Sequence, residues 1–188
     1  MTDHDRLVTL LATRSVRRGQ FVLASGRTSS LYIDARLTTM SPDGLVLIGT
    51  LGLAALHGAR WGVDAIGGLT LGADPVSYAI SYASARTDRP LRAFTVRKEQ
   101  KSHGTGKRIE GPFAAGDHVA IIEDVITSGG SALRAAEAVR EGGGIIHGVL
   151  AVVDREEGGR EAIEREGIPV VTLTRAEELV ARIPAETP

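Results

Sequence analysis

Residues 119–131, VAIIEDVITSGGS, constrain the fold of this chain more than any other segment. Their apolar, β-branched start reads as a buried parallel strand. It stops near two acids, Glu123 and Asp124, and small hydroxyl and glycine residues follow at once. With a helix beginning around Ser131, residues 127–131 become a tight loop. Its backbone N–H groups converge at the positive end of the helix dipole, which suits a phosphate dianion. Gly129 and Gly130 let the main chain approach closely, and Thr127, Ser128 and Ser131 offer hydroxyl donors. The two carboxylates cannot bind phosphate, but they can accept hydrogen bonds from vicinal ribose hydroxyls or sit near a metal. The combination reads as a ribose 5-phosphate cradle. The plain alternative is a strand, a polar turn and a capped helix without ligand. Against that alternative, an acid directly after four apolar residues is costly at a sheet end unless it has a partner.

Around this motif the chain alternates. Apolar runs at 63–66, 91–96, 118–122, 145–153 and 170–173 alternate with helical stretches at 75–85, 131–141, 159–166 and 174–181. Such a pattern predicts an α/β fold, a parallel sheet of about five strands with helices on both faces and ligands at the carboxyl ends of the strands. Thr174 with Glu177 has the spacing of a capping box, Thr2 can cap a first helix, and Ser41-Pro42-Asp43 marks another helix start. Short strands near 20–24 and 30–34 suggest a small separate N-terminal layer. Residues 98–116 lack periodicity and are rich in Gly, Lys and His, as in a functional lid. The expected organisation is a single domain over 1–188, with residues 1–38 as a hood and 39–188 as the α/β core.

The bulk properties exclude several chemistries. With no cysteine there are no disulfides, thiolate metal sites or cysteine nucleophiles. A formal net charge of -1 gives no general attraction to nucleic acid or acidic membrane. No signal-like run occupies residues 1–18, and the most apolar stretch, 45–56, is shorter than the ~20 residues of a membrane span. Cytoplasmic residence, no nucleic acid and no membrane are the expectations. His4, His57, His118 and His147 have no metal-ligand spacing and read as structural or solvated.

The acid, hydroxyl and glycine pattern of 123–131 resembles the phosphoribosyl diphosphate (PRPP) motif of the type I phosphoribosyltransferases. Residues 97–104, RKEQKSHG, resemble the R-K-E-x-K-x-H-G hallmark of the orotate phosphoribosyltransferase family within that class. Residues 25–34 and 153–155 extend the likeness over most of the chain. The resemblance implies a type I phosphoribosyltransferase-like sheet with a small N-terminal hood and Mg²⁺-dependent transfer from PRPP to orotate. It implies PRPP binding by Arg97, Lys98, Lys101, His103, Glu123, Asp124, Val125, Ile126, Thr127, Ser128, Gly129, Gly130 and Ser131. Lys101 and Asp124 are the expected catalytic residues, and Tyr32, Ile33, Thr127 and Arg155 the expected orotate contacts. No protein side chain is expected to ligate the metal directly, since Mg²⁺ arrives with PRPP. A homodimer is implied, with the basic loop reaching the neighbouring subunit's site.

Residues 67–75 follow another apolar run and by resemblance form the diphosphate loop, although glycines at such a turn are common for packing alone. Many family members carry a lysine where this chain has Gly72, and one often lies near the base where it has Ala24. Both differences shift weight onto the basic loop. Without the resemblance, Arg155 reads as a surface ion pair with Glu156 or Glu157. Three rivals remain at this level: a phosphoribosyltransferase for another base, a PRPP-sensing regulator that binds nucleic acid, and a sugar-phosphate binding module without catalysis.

Overall fold

The computed structural model describes residues 1–22, 28–99 and 108–183. The Thr2 hydroxyl accepts from the Asp5 N–H at 3.1 Å while the Thr2 N–H donates to the Asp5 carboxylate at 3.0 Å, so the first helix, α1 (Asp3–Leu10), starts at a capping box. Leu7, Val8 and Leu11 bury its apolar side, and one π-helical turn, Leu11–Ser15, leads out of it. Strands β1 (Val16–Val22) and β2 (Thr28–Ile33) then pair antiparallel, with Val16 opposite Ile33. A single turn, α2 (Arg36–Thr39), precedes α3 (Pro42–Gly58), where Pro42 follows the Ser41 cap.

The remainder alternates as expected: β3 (Ala65–Leu69), α4 (Ala73–Ser84), β4 (Arg92–Val96), β5 (Ile109–Glu110), β6 (His118–Ile126), α5 (Gly130–Glu141), β7 (Ile145–Asp154), α6 (Gly159–Arg165), β8 (Val170–Arg175) and α7 (Ala176–Val180). The sheet order is β5-β4-β3-β6-β7-β8, parallel except for β5. The five parallel strands match the expectation, and the two-residue β5 is an addition inside the segment read as structureless.

Strand residues alternate between two cores, because successive side chains leave opposite faces of a sheet. Ile66, Ala120, Ile122, Leu150 and Val152 pack with α1, α3 and α4, whereas Ala65, Val119, Ile121, Val149 and Ala151 pack with α5 and α6. At the β3/β6 junction the chain leaves one strand for each side, α4 following β3 and α5 following β6. Such a switch point opens a crevice at the strand carboxyl ends.

Three local expectations are corrected. The strand predicted at 63–66 runs instead through Gly67 and Gly68, because a Cβ on Gly68 would meet the Ile122 carbonyl and one on Gly67 the Phe94 carbonyl. These glycines serve close strand packing, and the turn is confined to residues 70–72. Likewise β6 continues past both acids to Ile126, held in register by Ile126 opposite Asp154. Finally, Thr174 caps nothing: it lies in β8 with its hydroxyl buried and unpartnered, and the Glu177 N–H donates to Glu156 instead.

Candidate active site

A cleft of about 340 Å³ opens where β2, β3 and β6 end. It brings together Tyr32, Ile33, Lys98, Glu123, Asp124, Val125, Thr127, Ser131 and Arg155 from the residues singled out in the sequence. Others point elsewhere. Ile126 is buried in the core, and Ser128, Gly129 and Gly130 shape the loop behind the cleft wall. Arg97 borders a neighbouring depression and pairs with Glu110 at 3.5 Å. Lys101 and His103, like Ala24, lie outside the described residues.

The loop after β6 has the form its sequence suggests. Gly129 takes φ +80°, a left-handed conformation that any side chain would strain, and α5 begins at the next residue. A Cβ on Gly129 would also approach the Gly159 carbonyl to 2.7 Å, so the N-terminus of α6 braces the loop from behind. Arg134, at the start of the second turn of α5, donates to the Ser131 hydroxyl at 3.3 Å. Sequence reasoning passed over this arginine. The available signal was its position, since a cation near a helix N-terminus opposes the dipole unless an anion sits there.

The acid pair is asymmetric. Glu123 is 7% exposed, and its burial, reinforced by the adjacent Asp124 carboxylate, pushes its carboxyl well above the ordinary range. Asp124 is half-buried, accepts from the Val125 N–H at 2.9 Å and fills the space beside Gly72. A Cβ on Gly72 would lie 2.6 Å from one Asp124 carboxylate oxygen, so a lysine could stand at this position only if the acid moved.

Supporting contacts fix the other walls. Buried Asp74 accepts from the Thr70 hydroxyl at 2.7 Å and the Thr95 hydroxyl at 2.8 Å, and the Thr70 N–H donates to the Val96 carbonyl, anchoring the 70–72 turn to β4. Arg155 is buried rather than solvated. It pairs with Glu157 at 2.7 Å, as the plain alternative expected, but also donates to the Leu31 carbonyl at 3.0 Å, tying β7 to the hood strand that carries Tyr32. Asp34 and Arg36, which also border the cleft, were not found from the sequence. Among the described residues, no group of three or more His, Asp or Glu side chains could hold a metal ion, and no helix is long and apolar enough to cross a membrane.

The fold, a largely parallel sheet flanked by helices, is that of the type I phosphoribosyltransferases. No protein-family model matches the chain. The orotate phosphoribosyltransferase of Aquifex aeolicus is 45% identical over 183 residues, 96% of this chain and 99% of that protein. The crystal structure of the Mycobacterium tuberculosis H37Rv orotate phosphoribosyltransferase in complex with Fe(III) dicitrate has a TM-score of 0.84 at 42% identity, covering 95% of this chain and 99% of that one. The structure of the same enzyme in complex with PRPP has a TM-score of 0.81 at 40% identity, with 95% and 99% covered. At this identity and coverage the chain belongs to the orotate phosphoribosyltransferase family, enzymes of pyrimidine biosynthesis that transfer the ribose 5-phosphate group from PRPP to orotate.

Proposed function

We propose that residues 123–131 hold the ribose 5-phosphate of PRPP, with Glu123 and Asp124 on the ribose hydroxyls and Thr127 to Ser131 on the 5′-phosphate. The observation that carries this is the left-handed Gly129 directly before α5, which turns the loop and the helix N-terminus toward the hydroxyls of Thr127 and Ser131 at the cleft. Orotate lies against Tyr32 and Ile33, with Thr127 and Arg155 reaching its polar edge. A Mycobacterium tuberculosis relative of the same fold was solved in complex with PRPP, which supports PRPP as the ligand of this chain.

Attack by an orotate ring nitrogen on the anomeric carbon needs little covalent help from protein. The chain's task is to hold both reactants in line and to stabilise charge on the departing diphosphate. Arg97, Lys98, Lys101 and His103 supply cations for that purpose, and Lys101 is the main stabiliser. No side chain is assigned as a ligand to Mg²⁺; brought in with PRPP, the ion would supply positive charge to the diphosphate. The acid pair adds only oxygen atoms to the cleft, which would be compatible with a hard cation carried there by PRPP. The chain acts as one domain, residues 1–38 forming a hood over the core of 39–188, in a cytoplasmic homodimer whose basic loop serves the partner's site.

The test follows loss of the orotate ultraviolet band with PRPP and Mg²⁺, then substitutes hypoxanthine, adenine and uracil. Turnover with orotate alone, abolished by excess chelator, is the expected result. Full activity in chelator removes the metal from the mechanism, and turnover only with a purine overturns the base assignment.

A further inference from the structure

Four cations among the described residues border the cleft: Arg36, Lys98, Arg134 and Arg155. Arg155 is committed to Glu157 and the Leu31 carbonyl, Arg134 leans over Ser131, and Lys98 opens the basic loop. Arg36 has no such task. It is not needed to form α2, whose turn is already closed by Leu37 N–H to Asp34 C=O and Thr38 N–H to Ala35 C=O. Its side chain is 48% exposed, and a pairing of that kind with a residue two positions away contributes little to stability.

The guanidinium is nevertheless clamped. Its Nε donates to Asp34 Oδ1 at 2.8 Å and its Nη2 to Asp34 Oδ2 at 2.9 Å, while the Arg36 backbone N–H also donates to Oδ1 at 3.2 Å. Asp34 is fixed in turn, because its own N–H donates to the Ser15 carbonyl at 2.8 Å and the next residue, Ala35, is buried. A fork held through Nε and Nη2 keeps Nη1 and its two N–H donors outside the pair. Arg36 lines the same cleft as Tyr32 and Asp124, between the aromatic wall and the acid pair.

The 70–72 turn lies on the same side. It abuts Asp124 through Gly72 and carries only Thr70, Leu71 and Gly72, none of them charged. A diphosphate on the anomeric carbon of a ribose held by Asp124 would lie beside a turn that offers it no cation. We infer that Arg36, oriented by Asp34, binds the diphosphate group of PRPP through Nη1 and supplies the positive charge that the 70–72 turn lacks. This rests on the assignment of residues 123–131 to the ribose 5-phosphate. Asp34 is then a positioning residue.

Calorimetric titration with magnesium diphosphate and, separately, with ribose 5-phosphate tests it, using the wild-type protein, Arg36→Gln, Arg36→Lys and Asp34→Asn. Arg36→Gln should weaken diphosphate binding by about tenfold or more and ribose 5-phosphate binding by less than about twofold. Arg36→Lys should fall between, since an ammonium keeps the charge but loses the fork. Asp34→Asn should weaken diphosphate alone, by less than Arg36→Gln, although Arg36 is intact. Unchanged diphosphate affinity in Arg36→Gln reduces the residue to a solvated ion pair and overturns the inference. So does an equal loss for both probes in Arg36→Gln and Arg36→Lys, which marks a structural role, or a raised KM for orotate with diphosphate affinity intact, which assigns Arg36 to the base. Failure of the wild-type protein to bind ribose 5-phosphate, by contrast, overturns the cradle assignment whatever Arg36 does.

Discussion

Burial and a neighbouring charge act on Glu123 in the same direction, and both raise its carboxyl. A group with a raised folded-state value holds its proton in the native state after the unfolded chain has released it. Stability therefore falls as pH rises from the ordinary carboxyl range through the raised one. Glu123→Gln removes that dependence. The melting temperature of the variant relative to wild type, both without ligand, should climb as pH rises above the ordinary carboxyl range. A flat difference would show that Glu123 ionises freely. Asp124 is less buried and should tolerate isosteric replacement: Asp124→Asn keeps the fold, by circular dichroism, and loses PRPP affinity or turnover. Full activity in that variant would remove the acid from the ribose-hydroxyl role. At this scale the sequence could show that two acids precede a glycine loop, but not that they differ, because the difference comes from what packs over each of them.

At the scale of elements, β3 is the tightest fit in the sheet. It is paired on both sides, by β4 and β6, and at Gly68 the Ile122 backbone and the Ala73 side chain occupy the space a Cβ needs. Gly68→Ala should cost about 1–3 kcal/mol or more in urea unfolding, since backbone cannot shift as a side-chain tip can. Gly58→Ala is the control, because nothing lies within 4 Å of an added Cβ there. Comparable losses in both would show that the effect does not come from packing at Gly68, since alanine is the better helix former at Gly58. The sequence indicated a break at Gly67-Gly68 because glycine usually punctuates strands. Neighbouring strands turned the same residues into a packing device. The over-short β6 has the same origin: acids read as a strand end, yet pairing with β7 through Asp154 carries the ladder three residues beyond Glu123.

For the whole molecule, the proposed sharing of the basic loop gives a quantitative expectation. Neither Lys101→Ala nor Asp124→Ala should be active alone, Lys101→Ala losing on the order of a hundredfold in kcat. In mixed dimers one site regains an intact Asp124 together with an intact Lys101, while the other carries both lesions. Random pairing makes about half the dimers mixed, so roughly a quarter of wild-type activity per site should return. Activity that stays at the level of the separate mutants, with subunit exchange shown by a mass tag, would mean the loop acts within its own subunit.

What the sequence determined by itself was local and periodic: the α/β alternation, the capping box at Thr2, the Ser41 helix start and the glycine turn at 129 all follow from residue types at fixed spacing. The residues of 119–131 were enough to read a phosphate loop, because backbone amides, glycine freedom and a helix end are consecutive in the chain. Only the tertiary structure could bring Asp34 and Arg36 to that loop, bury Arg155 against the Leu31 carbonyl, set Gly72 against Asp124 and give Asp74 its two threonine partners. Most of these contacts join residues far apart along the chain. Their energies depend on distance and burial, quantities that no single segment of sequence contains.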